Sequence, residues 1–182
     1  MRVRAIAERY YHRWFFRHSF VFRHEGSSSR ERRTDCEFKR YDSFQELPNT
    51  VVVDIASDSS VSQMEMGKRE LDEHATLWVA FVAGRVATTV YTREGRYFHH
   101  WFLELQPEDI VVFRLVTRQE YRGRGLAPSL IRHAIHETVK PPGHAYIDCR
   151  TYNKPSIRCI EKAGFTRIAR KRSIKRDWAL YG

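Results

Sequence analysis

The stretch LVTRQEYRGRGLAPSLIRHAI, residues 115–135, joins an apolar segment to a helical pattern through a turn with two glycines and three nearby arginines. The run that leads into it, IVVFRLVT (residues 110–117), is short and rich in β-branched side chains, which is typical of a central strand. From Leu126 onward apolar residues recur at helical spacing, and Pro128 fits there because the first helical turn has no i−4 hydrogen bond to lose. The stretch therefore predicts a strand, a glycine-rich turn and a helix.

The turn has the composition of a site for an anion. Gly123 and Gly125 can adopt positive φ angles and let a ligand approach the main chain. The first N–H groups of a helix have no internal partner and carry the positive end of its dipole, which suits a pyrophosphate. Arg122 and Arg124 add charge-assisted donors. The alternative is a tight surface turn with solvated arginines. The P-loop pattern is absent, and Pro128 stands where a Rossmann fingerprint needs a third glycine.

The rest of the chain mixes strands and helices. Residues 75–95 alternate apolar and polar side chains around Ala83-Gly84, which predicts a β-hairpin. Further predicted elements are a short strand over residues 18–25, a helix that ends near His74, a strand over residues 145–152, and a short helix from Asn153 to Gly164. The closing residues 165–182 predict a basic terminal hairpin, which would offer either a solvated edge or a surface for an acidic partner.

Composition limits the class of protein without selecting one. At 182 residues, 42% of them hydrophobic, the chain has the length of one domain with a core. A net charge of +10 predicts attraction to anions, whether nucleic acid, anionic lipid, acidic glycan or a nucleotide cofactor. The three cysteines (Cys36, Cys149 and Cys159) have no CxxC spacing, which argues against a zinc site or a disulfide framework and predicts a cytoplasmic protein. No apolar run is long enough to cross a bilayer.

The first part of the chain is predicted to be an extension of the domain. Residues 1–60 would contain a basic amphipathic helix and a polar loop packed on a core formed by residues 61–182. The alternative for this helix is an anchor on a membrane surface. The order of elements between residues 37 and 55 stays open, because strand-like and helix-like signals overlap there.

Two motifs together resemble those of the GNAT superfamily of acyltransferases. Arg122, Gly125 and Ala127 fill the family's acetyl-CoA binding pattern, in which Gln or Arg is followed after two residues by Gly, then by one residue and Gly or Ala. Downstream, NKPSIRCIEKAGF (residues 153–165) resembles the second signature, a short helix that begins at Asn and ends in Gly-Phe. The resemblance covers residues 75–182. It implies an α/β (α+β) fold with a mixed, mostly antiparallel central sheet, helices on its faces, and a splayed strand pair that forms the CoA cleft.

The resemblance also implies roles for particular residues. The main chain from Arg122 to Ala127 would hold the CoA pyrophosphate, and the main chain near Leu115 and Thr117 would bind the pantetheine arm and polarise the acyl carbonyl. Asn153 would help to position the cofactor. The full implied cofactor set is Leu115, Val116, Thr117, Arg122, Gly123, Arg124, Gly125, Leu126, Ala127, Asn153 and Ser156. No metal is implied.

The chain departs from the family at the catalytic acid and base. Many members place a Tyr four residues before the Gly of Gly-Phe to protonate the thiolate, and Ile160 stands there, so Ser156, Tyr152 or water would serve. Some members carry an acidic residue at the position of Phe113. Asp109 shares strand parity with Phe113 and is the first candidate for a general base. The other candidates are Glu108, His99, His100 and Asp148. His99 and His100 are adjacent on an extended segment, which disfavours a shared metal.

Three hypotheses for function follow. The first is an N-acyltransferase that moves an acyl group from acetyl-CoA, or another short acyl-CoA, directly to a primary amine on a small molecule, an amino sugar or a peptide. The second is a catalytically degenerate protein that binds acyl-CoA as a sensor or partner module, favoured by Ile160 and Phe113. The third, nucleic-acid binding, rests on charge alone. The oligomeric state stays open, with a homodimer as one option.

Overall fold

The chain forms one mixed sheet with helices on both faces, as predicted. A computed structural model describes residues 18–25, 34–57, 61–98 and 101–172. The sheet has seven strands in the order β2-β3-β4-β5-β6-β1-β7, and every neighbouring pair is antiparallel except β5 with β6. The strands are β1 His18–His24, β2 Glu37–Tyr41, β3 Thr76–Val82, β4 Arg85–Glu94, β5 Ile110–Thr117, β6 Ala145–Arg150 and β7 Thr166–Arg172. The helices are α1 Asn49–Ser57, α2 Val61–Asp72, α3 Leu126–Thr138 and α4 Lys154–Lys162.

The predicted hairpin is formed by β3 and β4. Ala83 and Gly84 connect the strands with φ angles of 48° and 74°, so both turn residues are left-handed. Such turns match the right-handed twist of the flanking strands. Alternate residues of β3 enter opposite faces of the sheet: Trp78 packs on one side, and Leu77 and Val79 pack on the other.

Each face of the sheet has its own hydrophobic core. On the face covered by α3, Leu130, Ile131 and Ile135 pack with Phe22, Trp78 and Val112, and Ile160 of α4 joins the same cluster. On the face of α1 and α2, the core contains Val51, Leu71, Leu77, Val79, Tyr91, Val111 and Phe113. The central strands β3, β4 and β5 are buried on both sides, which explains the near-continuous apolar run in β5.

The segment before residue 61 contributes two strands to the sheet. The predicted strand at residues 18–25 is present as β1, which lies between β6 and β7 and pairs with both. β2 pairs with β3 and forms the opposite edge of the sheet. The predicted amphipathic helix lies outside the described residues, as does the last part of the predicted terminal hairpin. The first part of that hairpin is β7, and its partner in the described chain is β1.

The region with mixed signals contains β2 and then α1. α1 includes Val51, Val52 and Val53, which favour strands by intrinsic propensity. Val51 nevertheless enters the core beside Leu71, so tertiary packing sets the conformation. In the described part of the chain, none of the helices combines the length and apolar character that a membrane crossing requires.

Candidate functional site

A cleft opens where β5 and β6 separate. The two strands pair in parallel only over Ile110–Val112 with Ala145–Ile147, while β5 continues to Thr117 and β6 to Arg150. Beyond Val112, β5 pairs with β4, and β6 pairs with β1. The side of β5 that faces β6 is therefore left without a strand partner over its last residues. This is the predicted splayed pair.

The glycine-rich turn closes one end of the cleft. Gly123 and Gly125 have φ angles of 79° and 73°, and Gly125 is the N-cap of α3 without a side-chain cap. The N–H groups of Leu126 and Ala127 therefore begin a helix with no preceding carbonyl to bind. The N–H of Arg122 donates to the carbonyl of Gln119 at 3.3 Å, so the main-chain donors of the turn begin after Arg122 rather than at it.

The turn is also tied to the end of β5. Nε of Arg122 donates to the carbonyl oxygen of Thr117 at 3.1 Å, and the hydroxyl groups of Thr117 and Thr88 are 3.1 Å apart. The guanidinium of Arg124 lies 5.6 Å from the ring centre of Tyr121. These contacts fix the end of the strand relative to the helix N-terminus.

The second motif forms the other wall of the cleft. Asn153 is the N-cap of α4, and its Oδ1 accepts a hydrogen bond from the N–H of Ser156 at 3.3 Å. Pro155, Ser156 and Cys159 also face the cleft, and Arg158 and Lys162 add two cations. Opposite walls of the cleft thus carry positive charge, since Arg122 belongs to the other side.

The open cleft has a volume of about 480 Å³. Ten of the eleven implied cofactor residues, all except Arg124, line it together with several neighbours: Leu115, Val116, Thr117, Tyr121, Arg122, Gly123, Gly125, Leu126, Ala127, Pro128, Asn153, Pro155, Ser156, Arg158, Cys159 and Lys162. Tyr121, Arg158 and Lys162 were not singled out from the sequence. The one sequence feature that could have predicted them is their closeness to the two motifs. Tyr121 belongs to the glycine-rich turn, and Arg158 and Lys162 follow Asn153 by five and nine residues on one helix.

Most of the acid and base candidates do not reach the cleft. Ser156 lines it, whereas Tyr152 is exposed and is not one of the described lining residues. Glu108 and Asp148 are not among those lining residues either. Ile160 is fully buried in the core under α4, so this position does not face the cleft at all. His99 and His100 lie outside the described residues, and the described part of the chain has no cluster of three or more potential metal ligands.

Asp109 is placed at the far end of β5. It precedes Ile110, the first residue of the strand, whereas the cleft begins near Leu115. Its buried carboxylate accepts the N–H of Gln106 at 2.8 Å and the N–H of His144 at 2.9 Å. The position therefore corrects the parity argument: Asp109 organises the loop before β5 and the loop before β6, and it is not placed to act on a substrate in the cleft.

Replacing Asp109 is expected to weaken the fold and to leave cofactor affinity unchanged. In Asp109→Asn an amide NH₂ faces one of the two partly buried N–H groups; a fully buried unsatisfied donor costs about 1–3 kcal/mol, so the loss here should lie near the lower end of that range. Urea unfolding should show this loss, while the exposed neighbour variant Glu108→Gln should remain close to the wild type. Normal stability combined with lost turnover in Asp109→Asn would contradict this assignment.

A second cavity lies on the opposite face of the sheet, beneath α1 and α2. It has a volume of about 60 Å³, and it shares Val116 with the cleft. Its lining is mostly apolar, with four charged residues and a phenol: Phe44, Leu47, Val52, Asp54, Ile55, Gly67, Lys68, Leu71, Val86, Ala87, Thr88, Thr89, Tyr91, Arg114, Val116 and Arg118. Val116 is half exposed at the junction of the two spaces.

Buried charges are paired around the second cavity. Asp54 accepts two hydrogen bonds from Arg85 and one from the N–H of Val86, and the Arg85 bonds hold its pKa below the usual value. Glu70 bonds Arg93 at 2.7 Å, and burial raises the pKa of Glu70 although this guanidinium opposes the shift. Burial also raises the pKa of Tyr91 to about 12, so its hydroxyl is protonated at neutral pH. Of the groups that line the cavity, Asp54 is therefore an anion and Tyr91 a neutral phenol at neutral pH.

A sheet with one splayed parallel pair, followed by a glycine turn at a helix N-terminus, is the arrangement that the resemblance to the GNAT superfamily implied. The family model described as the acetyltransferase (GNAT) family matches residues 31–165. The chain belongs to the GNAT acetyltransferase family. The match begins well before residue 75, where the motif-based resemblance began, because residues 37–57 supply β2 and α1 to the same fold. No curated protein is significantly similar to this chain in sequence.

Solved structures share this fold at low sequence identity. One is a GNAT-family acetyltransferase from Colwellia psychrerythraea, with a TM-score of 0.58 and 16% identity over 85% of this chain and 53% of its own. Another is an aminoglycoside antibiotic 6′-N-acetyltransferase from Acinetobacter baumannii, with a TM-score of 0.57 and 14% identity over 78% of this chain and 97% of its own. A third is an aminoglycoside acetyltransferase from an uncultured soil metagenomic sample, in complex with sisomicin. Its TM-score is 0.51, with 10% identity over 77% of this chain and 93% of its own. The chain spans about half the length of the first.

Proposed function

We propose that the protein is an acyl-CoA-dependent N-acyltransferase that transfers an acetyl group from acetyl-CoA to a primary amine. The observation that carries this proposal is the cleft between β5 and β6, which leads to two left-handed glycines and an uncapped helix N-terminus. An extended cofactor whose pantetheine arm leads to a pyrophosphate fits such a cleft. The residues that line it would hold acetyl-CoA as a co-substrate, and no metal is needed for this chemistry.

The cofactor would be bound mainly by the main chain. The N–H groups from Gly123 to Ala127 would hold the pyrophosphate, and Arg122, Arg124, Arg158 and Lys162 would add charge around the phosphates. The pantetheine arm would lie along Leu115, Val116 and Thr117, where β5 has no neighbour on the β6 side. An N–H of this segment would polarise the acyl carbonyl, a contribution worth about 3 kcal/mol in preorganised sites.

The transfer would take place by direct attack in a ternary complex. The lone pair of the amine forms a C–N bond to the thioester carbonyl carbon, the C–S bond breaks with its electron pair on sulfur, and the proton lost from nitrogen ends on the CoA thiol. Cys159 is the thiol that lines the cleft, and burial raises its pKa to about 11, so it stays protonated and is a poor nucleophile. None of the described lining residues of the cleft is a carboxylate or an imidazole, so water would accept the amine proton.

The proposal keeps only some of the residue roles that the sequence predicted. Ser156 and the main chain of Thr117 would lie close to the reacting atoms. Asp109 and Tyr152 have no catalytic role in the proposal. Asn153 would act by fixing the start of α4 beside the cofactor. None of the three cysteines forms a disulfide, which fits a reducing compartment, and a cytoplasmic location is part of the proposal.

Two measurements test the function. Titration calorimetry with acetyl-CoA should give a saturable heat, and release of free thiol in the presence of amines should exceed hydrolysis of the thioester. Binding without turnover on a broad amine panel would favour the acyl-CoA sensor instead. Absence of acetyl-CoA binding, together with steeply salt-dependent binding of random RNA, would favour a nucleic-acid-binding role.

A further inference from the structure

The second cavity is placed to receive the acceptor of the proposed reaction. It lies on the face of α1 and α2, whereas the cleft lies on the face of α3 and α4, and both reach Val116. A molecule in this cavity therefore approaches the end of β5 from the side opposite to the cofactor. Its volume of about 60 Å³ admits only a small group, since an ordered water needs about 10–15 Å³ by the same measure.

A bulge in β5 directs one arginine into this cavity. Thr89 and Tyr91 of β4 pair with Val116 and Phe113, so the single residue Val90 faces two residues of β5, Arg114 and Leu115. Arg114 has a φ of 51°, a left-handed conformation that is uncommon for a side chain of this size. Such strain concentrates at functional positions, and bulges re-aim side chains next to active sites.

The surroundings of Arg114 include an aromatic ring and a carboxylate. Its guanidinium lies 5.7 Å from the ring centre of Tyr91 and 4.0 Å from a carboxylate oxygen of Glu70. Glu70 is bonded more closely to Arg93, at 2.7 Å. The neutral hydroxyl of Tyr91 faces Gly67, where an added Cβ would come within 2.8 Å of it. Gly67 thus leaves room for a phenol donor beside the arginine.

The net charge of the lining is positive. Lys68, Arg114 and Arg118 are cations, and Asp54 is the one anion among the described lining residues. The carboxylate of Asp54 is already occupied by Arg85 at 2.6 Å and by the N–H of Val86 at 3.0 Å. A polycation such as an aminoglycoside would be repelled by this surface, whereas an anionic group would gain charge-assisted hydrogen bonds.

We propose that the acceptor is a small amine that also carries a carboxylate, as a free amino acid does, and that Arg114 binds this carboxylate. The inference rests on the proposed function. The apolar residues around the cavity, including Leu71 and Val86, would contact a short aliphatic side chain. Arg114 is then a specificity-determining residue, and the amine it positions attacks the thioester as described above.

Matched acceptors test the proposal. Free thiol is measured with acetyl-CoA and either leucine or leucinamide, and either alanine or alaninamide. The amides have the less basic amines, so intrinsic reactivity favours them at neutral pH. We expect kcat/KM to be at least tenfold higher for each acid than for its amide, mainly through a lower KM. An amide or an aminoglycoside preferred over the acids would overturn the inference.

Variants separate charge recognition from other effects. Arg114→Gln should bring the acid-to-amide ratio close to one, with the acetyl-CoA Kd unchanged by calorimetry. Arg69→Gln is the control, because Arg69 bonds Glu73 on the exposed side of α2. Calorimetry on the CoA-saturated protein should also show N-acetylleucine binding more tightly than N-acetylleucinamide, a readout that needs no turnover. A ratio that survives Arg114→Gln overturns the role of Arg114.

The outcomes also separate this inference from the proposed function. If acetyl-CoA binds and amines are acetylated without a preference for acids, the acceptor inference fails and the transferase proposal stands. If acetyl-CoA does not bind, both fail.

Discussion

A Gly125→Asp variant is expected to lose at least a hundredfold in acetyl-CoA affinity while keeping its fold. Gly125 is the N-cap of α3, with a φ of 73°. Aspartate tolerates this left-handed region better than most residues, so the helix should still form at a small cost in stability. Its carboxylate would occupy the helix N-terminus at which the pyrophosphate is proposed to bind, and it would repel the phosphates. Titration calorimetry measures the affinity, and thermal unfolding checks the fold.

Gly125→Asn is the matched control. Asparagine has nearly the same shape, the same tolerance of positive φ and a similar capping preference, but it has no charge. We expect it to lose much less affinity than Gly125→Asp, with both variants close to the wild type in melting temperature. Equal losses in the two variants would mean that the side chain blocks the turn sterically. Equal and normal affinities would place the pyrophosphate elsewhere and remove the basis of the cofactor assignment.

The parts of the fold that the sequence predicted correctly have local signals. The hairpin around Ala83-Gly84, strand β5 and helix α3 each follow from periodicity and turn residues within about twenty positions. The partners of β1 and the place of β2 in the sheet could not be predicted in this way. β1 pairs with residues more than 120 positions away, and no short-range pattern specifies such a register. The valine-rich α1 is helical because of packing that its own residues do not show.

The two halves of the site also differ in how local their sequence signals are. The proposed cofactor half lies in two contiguous segments, residues 115–128 and 153–162, so motifs could point to it. The proposed acceptor half consists of residues far apart in sequence, such as Asp54, Lys68, Tyr91 and Arg114. Strand parity alone pointed to Asp109, but parity gives the face of a strand and not the position along it. The bulge at Arg114 then changes parity within β5 itself, and no residue type in IVVFRLVT indicates it.

The largest stability effect is expected from the ion pair that supports the acceptor side. Arg93 and Glu70 are both buried and bond at 2.7 Å between α2 and β4. Nε of Arg93 already has no hydrogen-bond acceptor among the described residues. In Glu70→Gln the buried guanidinium loses its main countercharge, which costs about 3–5 kcal/mol. For a chain of this size that corresponds to a melting temperature about 6–20 °C lower, measured by calorimetry or circular dichroism.

Glu73→Gln is the matched control, because Glu73, which follows the last residue of α2, lies 3.7 Å from the same nitrogen of Arg93 but is more exposed than Glu70. A partly exposed pair contributes about 0–1 kcal/mol, so this variant should unfold close to the wild type. Replacing both partners, as in Glu70→Leu with Arg93→Met, should recover much of the loss, since no buried charge is then left unpaired. Similar effects of Glu70→Gln and Glu73→Gln would instead show that solvent reaches Arg93. A carboxylate oxygen of Glu70 also lies 4.0 Å from the guanidinium of Arg114. If Arg114 binds the acceptor carboxylate, removing the charge of Glu70 should increase the preference for acids over amides even as the fold weakens, so stability and selectivity should change in opposite directions in this one variant.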